Sequence, residues 1–208
     1  MKLYSFLACI ALASLGVANA QENSHVAFSA GAGFTTPLGR TGSNLDYGWN
    51  AGGGIGWNFN SHVGALIDLN YNSMGINSGT LNNIGVPGGN MHIFAATLDP
   101  IVHITPHSRA DLYVTGGGGI YHQTTDFTAP GVGTVTGFNP FFGFYSYGVP
   151  TTQILSSYTV NKPGIDAGIG VAFGSKWHGK FFAEARYNRI FTGNYHTDYI
   201  PVTFGFRW

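Results

Sequence analysis

Apolar and polar residues alternate with period two along most of the chain. Side chains on a β-strand point alternately to opposite faces, so this alternation predicts strands with one apolar and one polar face. We predict eight such strands, at residues 24–35, 47–59, 62–73, 91–105, 111–124, 164–173, 180–190 and 198–208.

The stretch 47–59 shows the pattern at its clearest. Trp49, Ile55 and Trp57 share one face with other apolar residues, and Asn50 lies on the opposite face with glycines. Aromatic residues near both ends of an apolar face are typical of a strand that crosses a bilayer. Pro100 interrupts the fourth strand and predicts a bulge or a locally unpaired edge there, because proline cannot donate to a ladder.

The connections between the predicted strands alternate between short and long. Short ones lie at 60–61, 106–109 and 175–179, and long ones at 37–46, 74–90, 125–163 and 191–197. Short turns at one end, longer loops at the other and an even strand count are the organisation of an up-and-down transmembrane barrel. A soluble sandwich gives no such alternation, and a soluble barrel turns its apolar face inward.

Composition supports a barrel in lipid. Charged residues make up 9% of the 208 residues, against about 25% in soluble domains. Glycine accounts for 32 residues, aromatic residues make up 15%, and the formal net charge is zero. A zero net charge gives no electrostatic footprint for nucleic acid, so we expect no nucleic-acid partner.

The start of the chain predicts a cleaved signal peptide at 1–20. Lys2 precedes the uncharged apolar run 3–17, and Ala18-Asn19-Ala20 is a small-x-small cleavage site. The barrel domain would then span 21–208. Cys9 lies within the signal, so the mature chain would carry no cysteine and no disulfide.

The last predicted strand places large apolar residues at every second position: Ile200, Val202, Phe204, Phe206 and Trp208. This pattern resembles the C-terminal signal of bacterial outer-membrane β-barrel proteins. Residues 181–187 with 199–205 also resemble the last hairpin of the small OmpA/OmpX-like barrels. The resemblance implies a Gram-negative outer-membrane location, contact with outer-membrane lipid and lipopolysaccharide, and a C-terminal signal that is read by the barrel-insertion machinery.

Counting alternate positions along the predicted strands, which we call parity, places seven charged residues on the inward face. They are Asp68, Asp99, Asp111, Asp166, Glu184, Arg186 and Arg207. An eight-stranded barrel is just wide enough to be filled by side chains, and a buried unpaired charge is very costly. We therefore predict that Arg186 and Arg207 pair with some of these carboxylates as a structural plug, with a gated pore or a catalytic carboxylate pair as the alternative.

Other chemistry has little support. The glycine runs 52–56 and 116–119 lack the helix and the Lys-Ser/Thr of a phosphate-binding loop. The eight histidines form no clear metal-ligand pattern. His196-Thr197 is only a partial match to the catalytic residues of lipid-modifying barrels, because no serine adjoins it. We expect no cofactor, no metal and no enzyme activity.

The connection 125–163 is unusual because it has no charged residue between Asp126 and Lys162. Six aromatic residues crowd its centre: Phe138, Phe141, Phe142, Phe144, Tyr145 and Tyr147. One interpretation is that it caps the lumen or continues the fifth and sixth strands above the membrane. The other is that it contacts lipopolysaccharide, a surface or a partner protein.

These observations predict a monomeric integral barrel with a plugged polar lumen and a structural or surface-interaction role. A narrow pore for ions or small solutes is the alternative function, and a lipid-modifying enzyme is the third.

Overall fold

The computed structural model describes residues 25–175, 179–193 and 195–208. The predicted signal peptide and most of the predicted turn at 175–179 lie outside these residues. Eight antiparallel strands form one closed barrel in sequence order, with β1 paired to β8. They are β1 Val26–Pro37, β2 Leu45–Asn58, β3 Val63–Ile76, β4 Gly88–His103, β5 Ala110–Asn139, β6 Gly143–Ser175, β7 Gly179–Phe191 and β8 His196–Arg207. The predicted all-β, eight-stranded fold is confirmed.

The two faces of the wall follow the predicted alternation. Large apolar side chains such as Trp57, Ile67 and Leu98 are exposed on the outside, whereas Asn50 and Asp99 are buried inside. Because hydrocarbon replaces water around a barrel in a membrane, an exposed apolar outer face is the stable arrangement. Parity is maintained across Pro100. The β4–β5 ladder lacks pairs at Asp99 and Pro100, but its register is the same on both sides, so Pro100 leaves a locally unpaired edge without a bulge.

The connection 125–163 is a continuation of β5 and β6, as one of the two interpretations predicted. Both strands run far past their neighbours and meet at the turn 140–142. The register shifts once in this pair, between Phe127 and Thr128. We call the part beyond that shift, residues 128–154, the β5–β6 hairpin. β4 pairs with β5 only as far as Thr128, and β7 pairs with β6 only from Gly164 onward.

Two of the long connections contain short helices that the sequence pattern did not predict. Helix α1 spans Gly39–Asn44, and helix α2 spans Ser78–Ile84. The Asn77 side chain caps α2 by accepting a hydrogen bond from Gly79, and Gly85 ends it in the left-handed conformation with φ of 68°. No helix in the part of the chain that the structure describes is long and apolar enough to cross a membrane.

Candidate functional regions: the barrel lumen and the long hairpin

A cluster around Arg186 fills the middle of the lumen. Its Nη1 lies 2.6 Å from Asp99 Oδ2, and its Nη2 lies 2.7 Å from Glu184 Oε1. Asp68 and Asp166 each bring a carboxylate oxygen to 3.6 Å from the same Nη1. The structure thus brings Arg186 together with four of the five carboxylates that parity placed inside the barrel. One guanidinium facing four carboxylates holds strands β3, β4, β6 and β7 together across the lumen.

Asp111 and Arg207 lie elsewhere, which corrects the prediction of one network for both arginines. Arg207 pairs across the ladder with Lys180 near the start of β7, whereas Arg186 lies near the middle of that strand. The guanidinium carbon of Arg207 lies 4.8 Å from the centre of the Tyr113 ring and 5.5 Å from the centre of the Phe182 ring. Among the described residues it makes no ion pair with a carboxylate.

Asp111 has two partners that the sequence reasoning missed. Lys180 Nζ lies 3.0 Å from Asp111 Oδ2, and His103 Nδ1 lies 2.9 Å from the same oxygen. Lys180 lies on the inward face of β7, as Arg186 does, and His103 lies on the inward face of β4, as Asp99 does. This shared face was the signal available in the sequence. The three side chains form a polar group at the end of the barrel that carries the short turns.

A second polar group, also missed, lines β1, β2, β3 and β8. Thr35 donates to Asn72 Oδ1 at 2.8 Å, and Thr203 donates to Asn50 Oδ1 at 2.8 Å. Asn72 Nδ2 donates to Asn70 Oδ1 at 2.7 Å. Their common inward parity was visible in the sequence, but amide and hydroxyl pairing depends on the strand stagger. These bonds satisfy polar groups that burial would otherwise leave without partners.

An apolar layer lies across the lumen above the Arg186 cluster, on the side of the long connections. Its buried members are Leu45, Met74, Ile76, Leu81, Ile93, Ala95, Tyr121, Ile190 and Tyr199. Leu81 comes from α2, so the helix packs over the barrel mouth. The Tyr121 hydroxyl donates to Asn188 Oδ1 at 3.1 Å, which joins this layer to the polar middle.

Open space inside the barrel is small at its centre and larger at the short-turn end. A space of about 40 Å³ adjoins Asp68, Glu184 and Arg186. That is room for only a few water molecules, since a buried water needs at least about 10–15 Å³ of such space. A space of about 320 Å³ opens at the short-turn mouth beside Ile101 and Arg207. Ile101, Tyr113, Ala172 and Phe182 form a second apolar layer nearby.

The β5–β6 hairpin exposes all six of the predicted contact residues. Phe141 and Phe142 at the tip are 90% and 87% exposed, and Phe138, Phe144, Tyr145 and Tyr147 are exposed behind them. The paired Phe138 and Phe144 rings lie 5.0 Å apart, and the Tyr145 and Tyr147 rings stack at 5.9 Å. The hairpin therefore carries its aromatic groups on solvent-facing surfaces outside the barrel.

The C-terminal strand closes the barrel against β1. Ile200, Val202, Phe204 and Phe206 follow its outward face, and the Trp208 backbone exchanges hydrogen bonds of 2.8 and 2.9 Å with Phe28. The Phe206 ring meets Phe181 of β7 edge-on at 5.1 Å and stacks on Trp208 at 6.1 Å.

Other chemical groups in the barrel are dispersed. Residues 25–175, 179–193 and 195–208 contain no group of three or more His, Cys, Asp or Glu side chains that could hold a metal ion. His196, the nearest match to a catalytic histidine, packs its ring edge-on against Phe191 at 5.7 Å.

A closed barrel with an apolar outer face and a charged interior defines a transmembrane β-barrel. The family model described as "Outer membrane protein beta-barrel domain" matches residues 5–207, so the chain belongs to this family. It is accordingly a protein of the outer membrane of Gram-negative bacteria, as the terminal strand pattern predicted.

Solved structures of similar fold include two small outer-membrane proteins. Neisserial surface protein A is 14% identical, with a TM-score of 0.59 over 88% of this chain and 96% of its own. The second is Ail, the attachment invasion locus protein of Yersinia pestis, solved with the heparin analogue sucrose octasulfate. It is 17% identical, with a TM-score of 0.50, and the match covers 88% of this chain and 97% of Ail. The comparison with curated proteins found no match.

Proposed function

We propose that this protein is a surface-interaction barrel: a closed membrane anchor that holds the β5–β6 hairpin outside the cell. The long connections face outward and the short turns face the periplasm, as in other outer-membrane barrels. The observation that carries the proposal is the hairpin itself, which extends two strands beyond the barrel wall and ends in exposed aromatic residues. An aromatic surface exposed on a water-facing hairpin is unfavourable unless it contacts something.

The lumen supports an anchoring role. From the external end inward it holds the apolar layer with Leu81, the Arg186 cluster and the layer around Tyr113. Side chains that fill the interior give a rigid support for the hairpin. We propose that the lumen is plugged and that the protein is a monomer in contact with outer-membrane lipid and lipopolysaccharide. We also propose export through the signal peptide at 1–20, cleaved after Ala20.

Shortening the hairpin tests the proposal. Thr134 pairs with Gly148, and Gly133 pairs with Val149, so residues 134–148 can be replaced by an Asn-Gly turn while the remaining ladder keeps its register. We expect the shortened protein to fold and insert normally, because the barrel pairs are untouched. Bacteria that display it should lose binding to host cells or abiotic surfaces that the full-length protein supports. Unchanged binding would contradict the proposed function.

The pore alternative is favoured by one observation, the space of about 320 Å³ at the short-turn mouth. Lys180, Arg207 and Asp111 border that space, so its lining carries charges of both signs. A plugged lumen, as proposed here, would interrupt the path above that space, and a conductance measurement distinguishes the two functions.

A further inference from the structure

The tip of the β5–β6 hairpin combines exposed aromatic rings with a backbone whose turn is satisfied internally. Asn139 Oδ1 accepts hydrogen bonds from the backbone amides of Phe141 and Phe142, at 2.8 and 3.3 Å. Exposed backbone amides are the main cost of moving a loop out of water, because a polar group without a partner is expensive in an apolar medium. Here the turn donors already have a partner, so the cost of leaving water is reduced.

The aromatic residues are ordered along the hairpin. Phe141 and Phe142 form the tip, the Phe138–Phe144 pair follows, and Tyr145 and Tyr147 stack one step further back. Phenylalanine is favoured in an acyl-chain environment, and tyrosine prefers the interface with the headgroups. The sequence has no charged side chain from residue 127 to residue 161, so nothing on the hairpin opposes contact with a lipid surface.

The hairpin reaches away from the membrane that holds the barrel. Its strands continue the barrel ladder with a single register shift, and residues 129–139 of β5 lie beyond the last pair with β4. At about 3.3 Å per residue, this segment carries the tip roughly 35 Å along the strand from the rim. A hairpin of this length that continues the direction of the barrel strands places Phe141 and Phe142 beyond the surrounding outer leaflet.

We propose that the hairpin tip inserts into the outer leaflet of a second lipid bilayer that faces the bacterial surface. The proposal rests on the surface-interaction function above and names its partner as lipid. A protein pocket that bound the same tip would be expected to have an apolar centre surrounded by a polar rim. The polar residues of the hairpin, such as Thr134, Thr136 and Ser146, are uncharged, so it offers no charged side chain to such a rim. The apolar tip and the tyrosines behind it instead match the depth profile of a bilayer interface.

Flotation of the folded protein with lipid vesicles tests the proposal. The protein is placed in nanodiscs, mixed with protein-free phosphatidylcholine vesicles and centrifuged through a density gradient. We expect wild-type nanodiscs to float with the vesicles. The double variant Phe141→Ser, Phe142→Ser should float at least about tenfold less, because burial of two large apolar rings is lost.

A matched control changes two apolar residues where the hairpin joins the barrel part of β6. Ile154 and Leu155 are 65% and 58% exposed, and both lie far from the tip. The double variant Ile154→Ser, Leu155→Ser should float like the wild type. Equal flotation of tip variant and wild type, equal loss in both double variants, or no flotation of wild type would each overturn the proposal.

A fluorescence measurement locates the tip directly. A Phe141→Trp variant in ordinary nanodiscs is mixed with vesicles of brominated phosphatidylcholine, which quench tryptophan on contact. We expect quenching in Phe141→Trp and none in the wild type, whose hairpin has no tryptophan. Absence of quenching beyond the wild-type level contradicts insertion. If shortening the hairpin abolishes cell binding while the full-length protein neither floats with vesicles nor shows quenching in Phe141→Trp, the surface-interaction function stands and the lipid partner is wrong.

Discussion

Arg186 is the residue on which the interior of the barrel depends most. It is buried, and four carboxylates lie within 4 Å of its guanidinium nitrogens. Substitution by alanine would leave Asp99 and Glu184 without a cation in a site of low dielectric. Removing one partner of a buried ion pair costs about 3–5 kcal/mol, and we expect a loss of that order in the free energy of unfolding of Arg186→Ala. Urea titration of the refolded protein, followed by its heat-modifiable gel mobility, measures it.

Arg207 provides the matched control for Arg186. It is also an inward-facing arginine, but its guanidinium meets the rings of Tyr113 and Phe182 rather than a carboxylate. A cation–π contact contributes about 0.5–2 kcal/mol, so Arg207→Ala should destabilise the barrel less. Equal, small shifts in both variants would show that the Arg186 cluster contributes nothing to stability.

Individual lumen partners were only partly predictable from sequence. Parity placed Arg186 and the carboxylates on one face, since alternation is local information. Parity could not predict that Arg207 lies near the short turns or that Asp111 pairs with Lys180, because those contacts depend on the stagger of strands around the barrel. Stagger is set by pairing between residues far apart in sequence, such as Ser29 with Arg207, and alternation within one strand is the same for every stagger.

At the scale of elements, β8 combines a structural role with a proposed signal for assembly. Phe206 and Phe181 are cross-strand partners on the outer face, so serine at either position removes the same ring contact. Only Phe206 belongs to the terminal pattern. If the insertion machinery reads that pattern, Phe206→Ser should lower the amount of protein in the outer membrane of cells several-fold, whereas Phe181→Ser should lower it little.

The two phenylalanine variants are compared by quantifying folded protein in isolated outer membranes, and then by refolding both into detergent. We expect similar folding yields in detergent, where no insertion machinery is present. Equal losses in cells would mean that the terminal pattern acts through packing alone.

The glycines of β5 let neighbouring strands approach closely. A Cβ built on Gly119 would collide with the backbone carbonyl oxygen of Ala96 on β4, whereas one on Gly56 of β2 would meet its nearest atoms at 3.7 Å. Forcing extra volume into a packed wall costs about 1–3 kcal/mol, so we expect Gly119→Ala to be destabilised by that amount. Gly56→Ala should be neutral. The same urea titration measures both, and equal midpoints would contradict the close-approach explanation.

The elements that alternation found are those with one buried and one lipid-facing side. Alternation did not detect the hairpin portions of β5 and β6 because neither of their faces is buried, which removes the selection for period two. Glycine and threonine occupy many positions there, and the strand ends at 124 and 164 were placed where the alternation fades. The helices α1 and α2 have six and seven residues, too few to show a helical period.

At the scale of the whole molecule, the interior determines whether the barrel transports anything. Three layers follow one another along the axis: the apolar layer with Leu81, the Arg186 cluster and the layer around Tyr113. Ions cross a membrane only along a continuous hydrated path. At the level of Arg186 the open space is about 40 Å³, and the larger space lies at the short-turn mouth.

We therefore expect refolded mature protein to be silent in a planar bilayer. A gel that separates folded from boiled protein first shows that the sample is folded, and a general porin added to the same membrane shows that insertion and detection work. Arg186→Ala is measured alongside, because it alters the narrowest polar layer. Steady conductance steps in the wild type, with an amplitude that Arg186→Ala changes, would show that the lumen conducts. The pore function would then replace anchoring, and the charged groups around Arg186 would form its constriction rather than a plug.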